Sequence, residues 1–368
     1  MLLNITVLPG DGIGPEVIAE AVRALESVVK VFGHELNLQY KPIGGASVQS
    51  SNDPLPADTL QACLNSDAVL LGAVGGPAFD GLPASLRPES GLLRLRSELG
   101  AFANLRPAFC IPGLESCSPL RAEVVRATDI LIVRELLGGL YFGRPRSIEG
   151  ANGDRIAVDT MCYREPEIER IAQVAFDLAR SRRRQVTSVD KANVLDCSRL
   201  WREIVTRVAT QYADVELRHM YVDSAAMALL SHPTRFDVLL TENMFGDILS
   251  DQAGAIVGSI GILGSASLGG RVGLYEPVHG SAPDIAGKGI ANPLGAILSA
   301  AMMLRYSFKL PHEADCIERS VRSVLAAGFR SADIAGASGS TFSTAEIGAK
   351  VAARVEQEAA AREPVAAR

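Results

Sequence analysis

The sequence predicts an α/β protein with a mostly parallel core. Short apolar, β-branched runs that end in glycine, proline or polar turns alternate along the chain with stretches of helical apolar spacing. A strand-to-helix turn rich in glycine opens the chain, and the 368 residues are enough for about two domains.

The elements follow in order. Residues 5–8 form a short strand that stops at Pro9-Gly10, and residues 16–31 then carry Val17, Ala21, Ala24, Leu25 and Val28 on one helical face. Residues 68–74 read as a buried strand ending in Gly75-Gly76-Pro77, and residues 128–134 as another. Residues 186–189 precede a polar Asp-Lys-Ala-Asn tetrad, and residues 236–241 precede Glu-Asn-Met-Phe-Gly-Asp. Helical stretches cover 167–180, 198–211 and 294–304. No repeat of fixed period is visible. The Ala-rich tail, 352–368, reads as a fraying helix or a disordered end.

Composition excludes several classes. With 48% hydrophobic and 21% charged residues, the chain is ordinary for a soluble α/β protein, and a net charge of −6 is a poor match for nucleic acid. The run Arg182-Arg183-Arg184 follows a helix, where cations favour the C-terminus. Six cysteines without CxxC spacing indicate reduced thiols in a cytosol, and five scattered histidines disfavour zinc. The N-terminus lacks the basic and apolar regions of a signal peptide. The longest uncharged stretches, 253–270 and 289–304, are broken by six glycines and by Asn292-Pro293, so no membrane span is expected.

Six constellations can carry chemistry. Gly10-Asp11-Gly12-Ile13-Gly14 has glycines at i, i+2 and i+4, whereas the dinucleotide fingerprint needs the third at i+5. It reads as a tight turn or a phosphate-binding loop, and not as a Rossmann motif. Arg96, Arg106 and Arg134 can grip two carboxylates bidentately, or be structural ion pairs. Tyr141, among Gly138, Gly139 and Gly143, can donate a proton. Lys191, at the end of a strand, becomes a general base if desolvation lowers its pKa, although a lone lysine is normally solvated surface. Asp247 and Asp251 share a helix face, and with Asp223 they offer hard oxygen ligands suited to Mg²⁺ or Mn²⁺. The loop from Glu276 to Gly287 is dense in Gly, Pro and small residues, which let a pyrophosphate or flat ring approach backbone. Its Asp284 can bind ribose hydroxyls and repel a 2′-phosphate.

In order, LPGDGIGPE, LLRLRSELGAFANLRP, VRELLGGLYFG, SVDKANVL, ENMFGDILSDQ and YEPVHGSAPDIAGKGIANP resemble the isocitrate/isopropylmalate dehydrogenase family, up to about Phe308. The resemblance implies that family's α/β fold, distinct from the Rossmann fold, with two domains sharing a large mixed sheet. Residues 1–104 plus 255–368 would form the large, cofactor-binding domain, and 105–254 an inserted smaller domain with a dimerising arm. It implies a homodimer with shared active sites, NAD as cofactor and Mg²⁺ or Mn²⁺. Arg96, Arg106 and Arg134 would hold the malate carboxylates. Asp223, Asp247 and Asp251 would bind the metal, with Asp223 and the base Lys191 reaching across from the other subunit, and Tyr141 would be the acid. Glu89, His279, Gly280, Ser281, Ala282, Asp284, Asn292 and Asp333 would line the NAD site.

Leu92, Leu93 and Val194 would face the substrate's side group. This apolar wall suits the isopropyl group of 3-isopropylmalate, whereas isocitrate's third carboxylate would be left unpaired. D-malate or tartrate is the alternative, with homoisocitrate and isocitrate behind. Leu137 departs from the family's Thr before the Gly-Gly pair, which bears on fine specificity.

Overall fold

The protein is described by a computed structural model covering residues 1–151, 153–336 and 339–360. It divides into two compact units. Unit 1 combines Met1–Ala101, Ile111–Pro119 and the chain from Val257 onward; unit 2 combines Phe102–Cys110 and Leu120–Ile256.

Unit 1 carries five strands of a mixed sheet. Leu2–Gly10 lies between Glu35–Tyr40 and Ala68–Ala73, parallel to both. Gly273–Pro277 runs parallel to Ala68–Ala73, and Gly264–Leu268 pairs antiparallel with it. Every residue of Ala68–Ala73 is buried, which is why that strand reads as a continuous apolar run. The helix Gly14–Phe32 begins with Pro in its first turn and ends at Gly33 in the left-handed conformation. It packs against the helices Leu294–Tyr306 and Thr344–Ala360. Residues 294–304 are buried on all sides, so this uncharged stretch belongs to the core of unit 1. Among the described residues no helix is long and apolar enough to cross a membrane. The predicted fraying tail is helical to Ala360, and 361–368 lie outside the described residues.

Unit 2 carries five more strands. Asp129–Glu135, Val238–Thr241, Gln185–Asp190 and Glu216–Tyr221 are successive parallel neighbours, and Ala103–Phe109 pairs antiparallel with the first. A separate antiparallel hairpin, Arg146–Ala151 with Asp154–Asp159, is exposed along almost its whole length. Arg182 and Arg183 fold back onto the buried Asp237, so the arginine run is tied into the unit. The α/β class with a mixed, largely parallel sheet is as the sequence predicts.

This layout positions the candidate residues. In an open parallel sheet, ligands bind beyond the carboxyl ends of the strands. In unit 1 those ends lead into Asp11, Gly75 and His279; in unit 2 they lead into Arg134, Lys191, Asp223 and Asn243.

Candidate active site

In unit 2, the strand Asp129–Glu135 delivers Arg134 and the helix Asn243–Val257 delivers Asp247 and Asp251 one turn apart. Arg134 is 1% exposed. Its Nη1 donates to Asp247 Oδ1, while Nε and Nη2 donate to Asn243 Oδ1 at 3.0 and 2.7 Å. Arg106, from Ala103–Phe109, reaches Asp247 at 3.4 Å and Asp251 at 3.6 Å, and donates to Ser250 Oγ at 2.7 Å and Asn104 Oδ1 at 2.7 Å. The Tyr141 hydroxyl donates to the other oxygen of Asp247 at 2.9 Å.

The electrostatics follow from these contacts. Burial pushes the Asp247 carboxyl up, but Arg134 and Arg106 outweigh it and hold the group below its ordinary value. Asp251 goes the other way: burial raises it, and Arg106 only partly offsets this. Burial, followed by the negative charge of Asp247, pushes the Tyr141 phenol up to about 12, so it carries a proton to give.

Lys191 Nζ donates to Asp223 Oδ1 at 2.8 Å, and this bond holds Asp223 below the usual carboxylate range. Among the described residues, no three His, Cys, Asp or Glu gather to hold a metal. One chain thus brings together two of the three predicted carboxylates, Asp247 and Asp251, and pairs the third with the predicted base. Their donor chemistry fits a hard divalent cation: carboxylate oxygens without imidazole or thiolate. Val194 is exposed.

In unit 1 the loop after Gly273–Pro277 borders a cavity of about 300 Å³ lined by Ile13, Ser259, His279, Ala282, Asn292 and Asp333, among others. His279 is buried and its Nε2 has no partner among the described residues. Burial lowers its pKa, which favours the neutral ring. Asp333 accepts from Ser259 Oγ and, at 3.0 Å, from Asn292 Nδ2. An apolar slot tipped with an unpaired imidazole nitrogen and a carboxylate fits the adenosine half of a dinucleotide. Ser281 is buried, while Gly280 and Asp284 are exposed.

The Gly10–Gly14 turn fits the structural reading: the backbone N–H groups of Asp11, Ile13 and Gly14 donate to the carbonyl oxygens of Ala73, Ser281 and Asp11 at 2.8, 2.8 and 2.9 Å. The Asp11 carboxylate accepts from the backbone N–H of Gly45, Ala46 and Gly75 at 2.7, 2.8 and 2.8 Å, which ties the turn to the segments that follow Glu35–Tyr40 and Ala68–Ala73. Gly12, at φ +59°, lies so close to the His279–Ala282 loop that a Cβ would fall 2.0 Å from the Ser281 carbonyl oxygen.

The helix Pro88–Glu98 places Glu89, Leu92, Leu93 and Arg96 on one face. Glu89 is exposed and lies over the backbone of Gly75. Arg96 is buried and donates to Glu276 at 2.7 Å, and its Nε has no partner among the described residues. Leu92 packs partly into the core, so only part of it is left for a ligand. Sequence reasoning missed Asn243, Ser250, Ser259 and the Arg96–Glu276 pair. Asn243 alone had a local signal, one turn before Asp247 on the same face.

An α/β chain with paired carboxylates, buried arginines and a proton-bearing tyrosine in one unit, and a loop-lined slot in the other, has the makeup of an oxidoreductase acting on acids. The chain belongs to the isocitrate/isopropylmalate dehydrogenase family, whose sequence model matches residues 4–351. It is 53% identical over 354 residues to a 3-isopropylmalate dehydrogenase of Aquifex aeolicus, covering 96% of this chain and 97% of that one. It is 55% identical over 361 residues to one of Heyndrickxia coagulans, covering 98% of each. Among solved structures, it is similar to isocitrate dehydrogenase from Methylococcus capsulatus, with TM-score 0.87, 36% identity, 96% of this chain and 100% of that chain covered. It is also similar to the apo form of a beta-decarboxylating dehydrogenase from Thermococcus kodakarensis, with TM-score 0.77, 38% identity, 99% and 98% covered.

Proposed function

We propose that this chain oxidises 3-isopropylmalate with NAD⁺ and removes its β-carboxylate, giving 4-methyl-2-oxopentanoate, CO₂ and NADH, a step of leucine biosynthesis. The observation that carries this reading is 53% and 55% identity to enzymes named for that substrate, each over at least 96% of the chain.

Asp247 and Asp251, with Asp223 of a second copy, would hold Mg²⁺ or Mn²⁺. When bound, the cation supplies Lewis acidity at the substrate's hydroxyl and neighbouring carboxylate, and NAD⁺ supplies the hydride acceptor. Lys191 takes the hydroxyl proton. Arg96, Arg106 and Arg134 bind the carboxylates, because guanidinium forks match them in shape and charge. Tyr141 gives its proton to the carbon that CO₂ leaves. Arg134 and Arg106 already neutralise Asp247, which supports their sitting where negative charge gathers.

His279, Gly280, Ser281, Ala282, Asn292 and Asp333 bind the adenosine half of NAD⁺, and Glu89 lies by the nicotinamide ribose. Asp284 sets the preference for NAD⁺, repelling a 2′-phosphate. A homodimer is part of this reading. The hairpin Arg146–Ala151/Asp154–Asp159 exposes Ile148, Ile156 and Val158, and a two-stranded ribbon is marginal alone. Met227, Leu230 and Ile248 are exposed apolar side chains on helices of the same unit. A second copy is the occupant that would bury them. All six cysteines are free, which suits a reducing cytoplasm.

The test is NADH formation with Mg²⁺ and 3-isopropylmalate, D-malate or isocitrate in parallel, repeated with NADP⁺. The first acid should give the highest kcat/KM, and NAD⁺ should exceed NADP⁺ by about 100-fold, the scale of a lost charged hydrogen bond plus repulsion. A higher kcat/KM for another acid overturns the substrate. No NAD⁺-linked turnover of any of them overturns the reaction.

A further inference from the structure

The helix that carries Asp247 and Asp251 begins with a residue the proposed reaction does not use. Asn243 is 0% exposed. Its Nδ2 donates to the carbonyl oxygens of Leu136 and Gly138, both at 3.0 Å. Its Oδ1 accepts from Nε and Nη2 of Arg134 at 3.0 and 2.7 Å. An amide side chain offers two N–H donors and two lone pairs on oxygen, and here all four are used. The partners also fix the amide's orientation, since a guanidinium only donates and a carbonyl only accepts. The backbone N–H of Asn243 donates to the Tyr163 hydroxyl at 2.9 Å, anchoring the start of the helix.

A second contact grips the stem of Arg134. A Cβ at Gly246 would fall 2.7 Å from Arg134 Cγ, so the arginine stem lies directly on the helix backbone. With Nε and Nη2 fixed by Asn243, Nη1 is the atom that reaches Asp247. The other two bonds of Asn243 hold residues 136–138, which lead into the turn Gly139–Tyr141. Positions 243, 247 and 251 share one helix face, so a single rigid element carries the amide and both carboxylates.

We propose that Asn243 is a positioning residue for the reaction. It locks the Arg134 guanidinium and the segment leading to Tyr141 to the helix end that presents Asp247 and Asp251. The anion clamp, the proton donor and the metal carboxylates therefore keep one mutual geometry. An asparagine serving the fold alone would need its bonds to the loop carbonyls only; the two bonds to Arg134 connect it to the chemistry. The inference rests on the proposed reaction for the roles of Arg134 and Tyr141.

The test is a double-mutant cycle of Asn243→Ala with Arg134→Lys in the full-length protein, with folding checked by circular dichroism. Asn243→Ala should lower kcat/KM for the acid by about 100-fold, the scale for misplacing a reacting group by roughly 1 Å. KM for NAD⁺, whose proposed residues lie in the other unit, should stay within about threefold of wild type. Since the asparagine acts in part through the arginine, the loss in the double variant should fall short of the product of the two single losses by at least about threefold, whereas independent losses would multiply in full. Multiplying losses, or wild-type kinetics in a folded Asn243→Ala, overturns the proposal. If Asn243→Ala does not fold, Asn243→Leu, of similar volume but with neither the acceptor for Arg134 nor the amide donors, takes its place in the cycle. The wild-type enzyme decides the substrate separately. If it turns over D-malate or isocitrate instead, the cycle is run on that acid, so either reading can fail without the other.

Discussion

The Tyr141 hydroxyl and Arg134 Nη1 bind opposite oxygens of the same carboxylate, Asp247, with Tyr141 at 2.9 Å. The Arg134 guanidinium also lies 5.7 Å from the centre of the Tyr141 ring. Phenylalanine at position 141 keeps the ring against the arginine and removes only the proton donor. Tyr141→Phe should therefore slow turnover by about 10²–10⁴-fold, the usual contribution of a general acid. Oxidation precedes the step that needs the proton, so the first turnover should still release NADH as a burst. A steady state close to wild type, or loss of the burst along with the slow phase, would count against this role.

Glu20 offers a pH test far from the chemistry. It lies buried on the helix Gly14–Phe32 against Thr344–Ala360, where a Cβ on Gly348 would fall 1.9 Å from Glu20 Oε2. Its nearest cation is Arg23 Nε at 3.4 Å. Burial raises its pKa, and Arg23 only partly opposes this. For an acid with a raised folded-state pKa, the stability it contributes is complete below the ordinary Glu range. That contribution is lost as pH rises through the raised value, because the charged form is then buried. Glu20→Gln should raise Tm near pH 7 by on the order of 2 °C, with a smaller gain near pH 4. An equal gain at both pH values, or a loss near pH 7, would show that burial of the charge is not what Glu20 costs the fold.

The parts of this molecule that were legible in the sequence are those with a local cause. Ala68–Ala73 is buried on both faces and reads as an apolar run; Gly14–Phe32 buries one stripe and shows helical spacing. Ala103–Phe109 was not legible, because its run includes Asn104, Arg106 and Pro107, whose reasons are tertiary: Arg106 bonds Ser250, 144 residues away. The hairpin strands and Glu216–Tyr221 are exposed or lie at a sheet edge, and their mixed polar sequences carry no clean alternation. The same holds in the site. Asp247 and Asp251 announce themselves by i,i+4 spacing, while the Arg96–Glu276 pair joins residues 180 apart and leaves no local trace.

Lys191 and Asp223 lie together in one chain at 2.8 Å, apart from the Asp247 cluster in sequence and in bonding. If this pair serves the site of a second copy, two inactive variants should rescue each other. Lys191→Ala keeps Tyr141 and Asp247; Tyr141→Phe/Asp247→Asn keeps Lys191 and Asp223. In a mixed dimer one site collects the intact half of each. Free exchange of equal amounts makes half the dimers mixed, each with one good site in two, so activity should return to roughly one quarter of wild type. No recovery after verified subunit exchange would mean that each chain works with its own lysine.

Substrate choice is best tested on the helix Pro88–Glu98, where Leu92 and Leu93 sit between Glu89 and Arg96 on one face. The two leucines are not equivalent. Leu92 packs against the core cluster that includes Leu8, Ile43, Leu55, Leu95 and Leu99, whereas Leu93 is half-buried outside it. Leu92→Ala should therefore act mainly on stability, lowering Tm through lost core contact. Leu93→Ser should act on the substrate. Burying an isopropyl group is worth about 10–200-fold over a smaller side group, so the variant should lose much of that factor in kcat/KM for 3-isopropylmalate and little for D-malate, which has no alkyl group to place. Isocitrate should stay poor in the wild type, since its extra carboxylate would face leucine. The deciding quantity is the ratio of kcat/KM for 3-isopropylmalate to that for D-malate, measured in wild type and in Leu93→Ser. If the ratio is unchanged by the substitution, Leu93 does not touch the side group, and selectivity must come from another part of the pocket wall.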